Sequence, residues 1–192
     1  MTDRAPWYRW AVLAYDRGYR VLHGLNRPEA QAGPVLLVER RRLPRALRLA
    51  DGTRLRPGAP IGVLHLDNAR VLELHGDGRR PGAIGFELRR LVVASLRRVA
   101  SHAIAGGPLA PLEAYSATTL FHRRLPSLGF GPALGDRPVG SGLVGGYQRA
   151  LLRALHPSGA ARARGTRGEA RRLWISRERL VARYRRDSAV RR

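Results

Sequence analysis

Residues 51–68, DGTRLRPGAPIGVLHLDN, decide the fold class. Asp51-Gly52 tolerates the left-handed geometry of a tight hairpin and lies between the alternating Leu47-Arg48-Leu49 and a returning Thr53 to Leu55. Pro57-Gly58 predicts a second turn, after which Ile61 to Leu66 reads as a strand running into a loop at Asp67-Asn68. Upstream, the apolar run Val35 to Val38 follows Gly33-Pro34 and predicts another strand, with Arg40 to Arg42 as a solvated cluster beyond it. The first third of the chain therefore predicts three or four short antiparallel strands.

On either side of these strands the apolar spacing becomes helical. Ile84, Leu88, Leu91, Val92, Ser95, Leu96, Val99 and Ala103 form one broad stripe, with Arg89, Arg90, Arg97 and Arg98 opposite, until Gly106-Gly107-Pro108 stops the pattern. This central helix is expected to cover the sheet. Toward the N-terminus, Pro6 opens a segment in which Trp7, Trp10, Ala11, Ala14, Gly18, Val21 and Leu22 keep helical spacing up to Gly24. A helix of this kind either docks on its own sheet through the aromatic face, which is the commoner arrangement, or lies in a membrane interface.

Further along, Tyr115 to His122 predicts a strand, Pro126 to Phe130 a short turn and 129–146 a glycine-rich loop. Tyr147 to Leu155 predicts a helix ending at His156-Pro157, and 158–170 a mobile segment. Leu173 to Ile175 predicts a strand, and Ser176 is placed to cap a final helix, with Glu178 in its first turn. The fold class is α+β: a small, mainly antiparallel sheet covered by an N-terminal helix and a central amphipathic helix, with further C-terminal helices. One domain is expected over residues 1–192, with its core at about 7–184.

The chain carries 36 basic residues, all arginine, against 14 acidic ones, for a net charge of +22. Such a field attracts nucleic acid, anionic lipid or acidic wall polymers. A GC-rich coding sequence also explains arginine without lysine, though it explains the shortage of acids less well. There is no cysteine, which removes disulfides, thiolate catalysis and cysteine-held metals. Asp16, Arg17 and Arg20 interrupt any secretory hydrophobic region, and no run reaches the roughly 18 apolar residues of a membrane span. The expected address is the cytoplasm, with attachment to the inner face of the membrane left open.

Phosphate loops, dinucleotide fingerprints, nucleophile elbows, zinc-protease helices, calcium loops and helix-turn-helix patterns are all missing. The suggestive cluster is His65-Leu66-Asp67-Asn68. Residues i and i+2 of an extended segment face one side, so His65 and Asp67 can share a cleft wall, and His122 ends the later predicted strand. If those strand ends meet, His65, Asp67 and His122 form a candidate acid–base set. Asn68, Arg123 and Arg177 are candidate ligand-binding residues, the last at a helix start whose N–H groups attract anions. The plainer alternatives are a backbone-turning Asp67 or Asn68, and Ser176 acting only as a cap. No metal and no cofactor is expected.

Residues 7–19 (WYRWAVLAYDRGY), 51–68, 118–130 (TTLFHRRLPSLGF) and 173–180 (LWISRERL), in that order, resemble the YkoP-like domain over roughly residues 7 to 184. His65 and Asn68 match its His-x-x-Asn pattern, while Leu125 to Phe130 match its Leu-x-x-Gly-Phe end loosely because Pro126 interrupts the helix. Some members of that bacterial family look like C-terminal appendages of polysaccharide deacetylases. This sequence lacks the Asp-Asp-Gly run of that enzyme, so its chemistry does not carry over. The resemblance implies an accessory role in envelope polysaccharide metabolism.

Three functions remain. The leading one is a non-catalytic binding domain whose arginines engage an acidic polysaccharide or an anionic membrane surface. The second is a small enzyme using His65, Asp67 and His122 on a carbohydrate or lipid-linked substrate. The third is a nonspecific nucleic-acid binder, which would need exposed aromatics on a basic sheet face.

Overall fold

The strand predicted from Ile61 onward is β4 (Pro60–Leu66), and it sits inside a four-stranded sheet with β1 (Leu36–Arg42), β5 (Ala114–Thr119) and β7 (Arg171–Ser176). This structure, a computed structural model, describes residues 7–76, 81–120, 122–136, 146 and 170–185. The predicted helix over Tyr147 to Leu155 and, apart from Ala170, the predicted mobile segment 158–170 lie outside the described residues, as do the side chains of Trp7 and Trp10.

The sheet order is β1-β4-β5-β7. β1 and β4 pair antiparallel from Leu36↔Leu66 to Arg42↔Pro60, and β5 and β7 pair antiparallel from Ala114↔Ser176 to Thr119↔Arg171. β4 and β5 are parallel, because the chain crosses between them through α2 (Asn68–Gly76) and α3 (Pro81–His102). The Asp51-Gly52 turn joins β2 (Leu47–Leu49) to β3 (Arg54–Leu55), and β6 (Ala133–Leu134) completes a second sheet of order β3-β2-β6. The architecture is α+β, mainly antiparallel with one parallel pair.

Sheet alternation assigns the two faces. Leu36, Val38, Leu64, Tyr115, Leu173 and Ile175 face α3 and α4 (Arg177–Tyr184), where Leu96, Val99, Ala100, Leu180 and Tyr184 close the main core. The stripe read from the sequence is the buried side of α3, and Arg89, Arg90, Arg97 and Arg98 are exposed. On the other face Ile61, Ala114 and Trp174 meet Leu47, Leu49 and Leu55 of the small sheet. The small sheet leaves the Leu37 end of that face free, and there Tyr19 of α1 (Trp7–Leu22) packs with Leu25, Ala30 and Leu37.

Two expectations need adjusting. Arg40 to Arg42 are exposed, as expected, but they lie within β1, since β4 offers partners out to Pro60. The docking face of α1 also differs in its described half: Ala14, Gly18, Val21 and Leu22 face solvent, and the helix meets the sheet through polar side chains.

Gly62 is required by close approach. A Cβ built there falls 2.6 Å from Cδ1 of Tyr115, which is fully buried and has no room to retreat. Gly62→Ala should cost about 1–3 kcal/mol through overpacking. Chemical denaturation checks this, and a loss below about 0.5 kcal/mol would show that the β4–β5 contact relaxes freely.

Candidate functional site

On β1, Leu37, Glu39 and Arg41 point to the face that the small sheet leaves open, so the strand places a carboxylate where an apolar residue is normal. Glu39 is only 7% exposed. Its Oε1 accepts from His23 Nδ1 at 2.9 Å and Arg41 Nε at 2.5 Å, and its Oε2 from His65 Nε2 at 2.9 Å. Burial alone would push this carboxyl up, but hydrogen bonds from His65, Arg41 and His23 pull it down to about 2. Glu39 is therefore an ionised group held between two imidazoles.

The end of α1 closes over it. Tyr19 stacks on His23 with ring centroids 4.0 Å apart and lies 5.7 Å from the His65 ring. Burial and the nearby Glu39 charge push the Tyr19 phenol up. One turn away, Arg20 Nη1 donates to Asp67 Oδ1 at 3.0 Å, and Asn68 Nδ2 donates to Asp16 Oδ1 at 2.7 Å. Asp67 also accepts from the backbone N–H of Ala69 at 3.1 Å, capping the start of α2. Asp16, Tyr19, Arg20 and His23 recur at i, i+3, i+4 and i+7, one face of a helix, so this polar face anchors α1.

Of the residues singled out in the sequence, His65, Asp67 and Asn68 belong to this junction. Among the described residues the carboxylate bonded to His65 is Glu39, while Asp67 is bonded to Arg20 and Ala69. His122 opens the 3₁₀ segment His122–Leu128, and its buried Nδ1 has no hydrogen-bond partner among the described residues. Arg123 is exposed on the same segment. Arg177 donates to Ala110 O at 2.7 Å and to Glu178 Oε1 at 3.1 Å. Ser176 caps α4, accepting from Arg179 N at 3.2 Å, and donates to Asp51 Oδ2 at 2.6 Å. That carboxylate beside the helix start opposes a bound anion there. Among the described residues no group of three or more His, Asp or Glu could hold a metal ion.

Sequence reasoning missed Glu39, His23, Tyr19 and Arg41. The available signal was positional: a glutamate two residues after Leu37 falls on the same row of a strand, at an inward position.

The arrangement has acid–base character. Each imidazole offers one ring nitrogen to Glu39, which fixes the ring's orientation and leaves its second nitrogen for another partner. Both rings are partly exposed.

A second feature lies at the far end of β1. Arg40, Arg41, Arg42, Pro60, Pro108, Pro111 and Leu112 line an open depression of about 300 Å³. Arg40 Nη2 donates to Pro108 O at 2.9 Å and Arg42 Nη1 to Gly58 O at 3.0 Å. Backbone carbonyls hold these guanidinium groups in place, and among the described residues neither forms an ion pair.

The carboxyl of Glu39 falls from an ordinary 4.5 to about 2 on folding, so its stabilisation is present above pH 4.5 and is lost as the pH falls toward 2. Its size is of the order of 3 kcal/mol. Urea unfolding of wild type and Glu39→Gln should show a gap of that order at pH 7 that closes between pH 4.5 and 2. A gap that does not change with pH would refute the ionised, triply bonded carboxylate.

No curated protein sequence and no solved structure matches this chain. A family model, the YkoP domain, matches residues 6–184, a span that begins just before α1 and ends with α4. The matched span takes in α1, the His65 to Asn68 junction and the β7–α4 cap, and the chain belongs to the YkoP domain family.

Proposed function

We propose that this YkoP domain is a non-catalytic binding module for an acidic polymer of bacterial envelope polysaccharide metabolism, working on the cytoplasmic side. The observation that carries the reading is the pair Arg40 and Arg42, each fixed by a neutral carbonyl beside a depression floored by prolines and Leu112. Charges held ready in this way lose little conformational freedom when an anion arrives, and the rigid apolar floor suits the faces of sugar rings. The arginines lie two apart on one strand, so adjacent anionic groups of a chain about 7 Å apart would be matched.

The net charge of +22 adds a nonspecific background that any polyanion feels, duplex DNA included. Trp174 is buried, with its Nε1 bonded to Asp136 Oδ2 at 2.7 Å, and this weighs against a stacking platform for bases on that strand. Binding of an anionic wall polymer and of duplex DNA should be titrated with salt for wild type and Arg40→Gln/Arg42→Gln. We expect the wall polymer to hold near physiological ionic strength and to weaken at least tenfold in the double variant, since charge-assisted hydrogen bonds are each worth about 1.5–3 kcal/mol. If both polyanions fall together with salt and the variant matches wild type, only bulk electrostatics is at work and the reading fails.

A second reading, a small enzyme acting on a carbohydrate or lipid-linked substrate, is favoured by the Glu39–His65 bond. In it His65 is the base and Glu39 orients the ring. Incubation with envelope glycans and their lipid-linked precursors, read by mass spectrometry, separates the two readings. The binding module predicts no turnover. Conversion by wild type that disappears in a folded His65→Ala would overturn it.

A further inference from the structure

We infer that the outward face of α1 docks on an anionic lipid surface. The inference starts from the orientation of the helix, which is the reverse of the usual one for a surface helix. Asp16, Tyr19, Arg20 and His23 face the protein and are engaged there with Asn68, Leu37, Asp67 and Glu39. Ala14, Tyr15, Gly18, Val21 and Leu22 are thereby turned to solvent, with Tyr15 56%, Val21 65% and Leu22 82% exposed. At 3.6 residues per turn these positions form one continuous side of the last two turns. Val21 and Leu22, neighbours in the chain and both in water, lie opposite a half-buried polar row and make an apolar surface that the described residues leave exposed.

Charge selects the occupant. Arg17 lies on the same helix, Arg27 follows its end, and both are exposed. Aliphatic side chains rimmed by arginine match the acyl and headgroup layers of an anionic bilayer, where the two contributions add. A second copy of this chain would bring two charges of +22 together and is disfavoured by repulsion. Nucleic acid would satisfy the arginines but offers nothing to Val21 and Leu22. Among the described residues no helix is long and apolar enough to cross a membrane, so the contact is made at the surface. The exposed residues of this surface are not among those lining the Arg40–Arg42 depression, and the two can fail independently.

The test is co-sedimentation of the full chain with vesicles of phosphatidylglycerol and phosphatidylcholine, beside vesicles of phosphatidylcholine alone, at low and near-physiological salt. Wild type should bind the mixed vesicles at both salts and the neutral ones weakly. Val21→Ser/Leu22→Ser should bind the mixed vesicles at least tenfold more weakly near physiological salt while keeping the wild-type melting temperature, because both side chains are exposed. Arg17→Gln/Arg27→Gln should weaken binding mainly at low salt. Arg40→Gln/Arg42→Gln should stay within about threefold of wild type, its loss of charge being small beside the total. Three results overturn the inference: unchanged vesicle binding in Val21→Ser/Leu22→Ser, loss of vesicle binding in Arg40→Gln/Arg42→Gln, or a wild-type dimer in sedimentation velocity that this serine variant abolishes.

Discussion

A carboxylate on the inner row of a strand has to find donors or be protonated, and the environment of Glu39 is built by that requirement. Its three donors come from three elements: His23 just beyond α1, Arg41 on β1 itself and His65 on β4. Removing any one leaves a buried negative charge short of a partner, which costs far more than an exposed ion pair contributes. Glu39 thus ties the N-terminal helix to the sheet. It also dictates how that helix lies, because the side carrying Asp16, Arg20 and His23 must face inward to reach Asn68, Asp67 and Glu39.

The location of the junction follows from how the two faces of the main sheet are divided. α3 and α4 cover one face with aliphatic side chains and Tyr184. The other face is shared: the small sheet covers Ile61, Ala114 and Trp174, and α1 covers the Leu37 end. Asp51 holds the small sheet in place, bonding its own hairpin through Thr53 N at 3.1 Å and the β7–α4 corner through Ser176 at 2.6 Å. Burial works against the ionised Asp51, yet the bonds from Ser176 and Thr53 keep its carboxyl below the ordinary range. The buried Glu39 and the exposed Asp51, which is bonded to Ser176, therefore fasten the two coverings of one face.

Much of this was legible locally. The α3 stripe, the Asp51-Gly52 hairpin and the Ser176 cap are each set by residues within a turn or two of one another, and the structure has all three. The direction of β4–β5 was not legible, because alternation along a strand is the same for parallel and antiparallel neighbours. Glu39 was hidden for a different reason. In the run Glu39-Arg40-Arg41-Arg42 it reads as one more solvated charge, and its imidazole partners lie 16 and 26 residues away. His65 was visible as a polar residue within an apolar strand, but the carboxylate facing it comes from the neighbouring strand. For α1, helical spacing told which residues share a side without telling which side the protein would use.

The same limit bears on the arginine content. Coding bias can account for arginine in place of lysine across the whole chain, but it has no bearing on where each guanidinium ends up. Arg20, Arg41 and Arg172 neutralise Asp67, Glu39 and Asp136 inside the fold. Arg40 and Arg42 are held by carbonyls, and Arg17 and Arg27 stand exposed beside an apolar helix face. Guanidinium keeps its charge in all of these settings, so the internal counter-ions do nothing to lower the charge of the groups left outside. Those internal pairs use three of the 14 acidic residues, and the 36 arginines far outnumber the rest. Arg40 and Arg42 beside the depression and Arg17 on α1 are part of an exposed basic surface that also includes Arg89, Arg90, Arg97 and Arg98 on α3. On the proposed readings, it is the shape of the depression and of the helix side, more than the total charge, that distinguishes a partner from a passing polyanion.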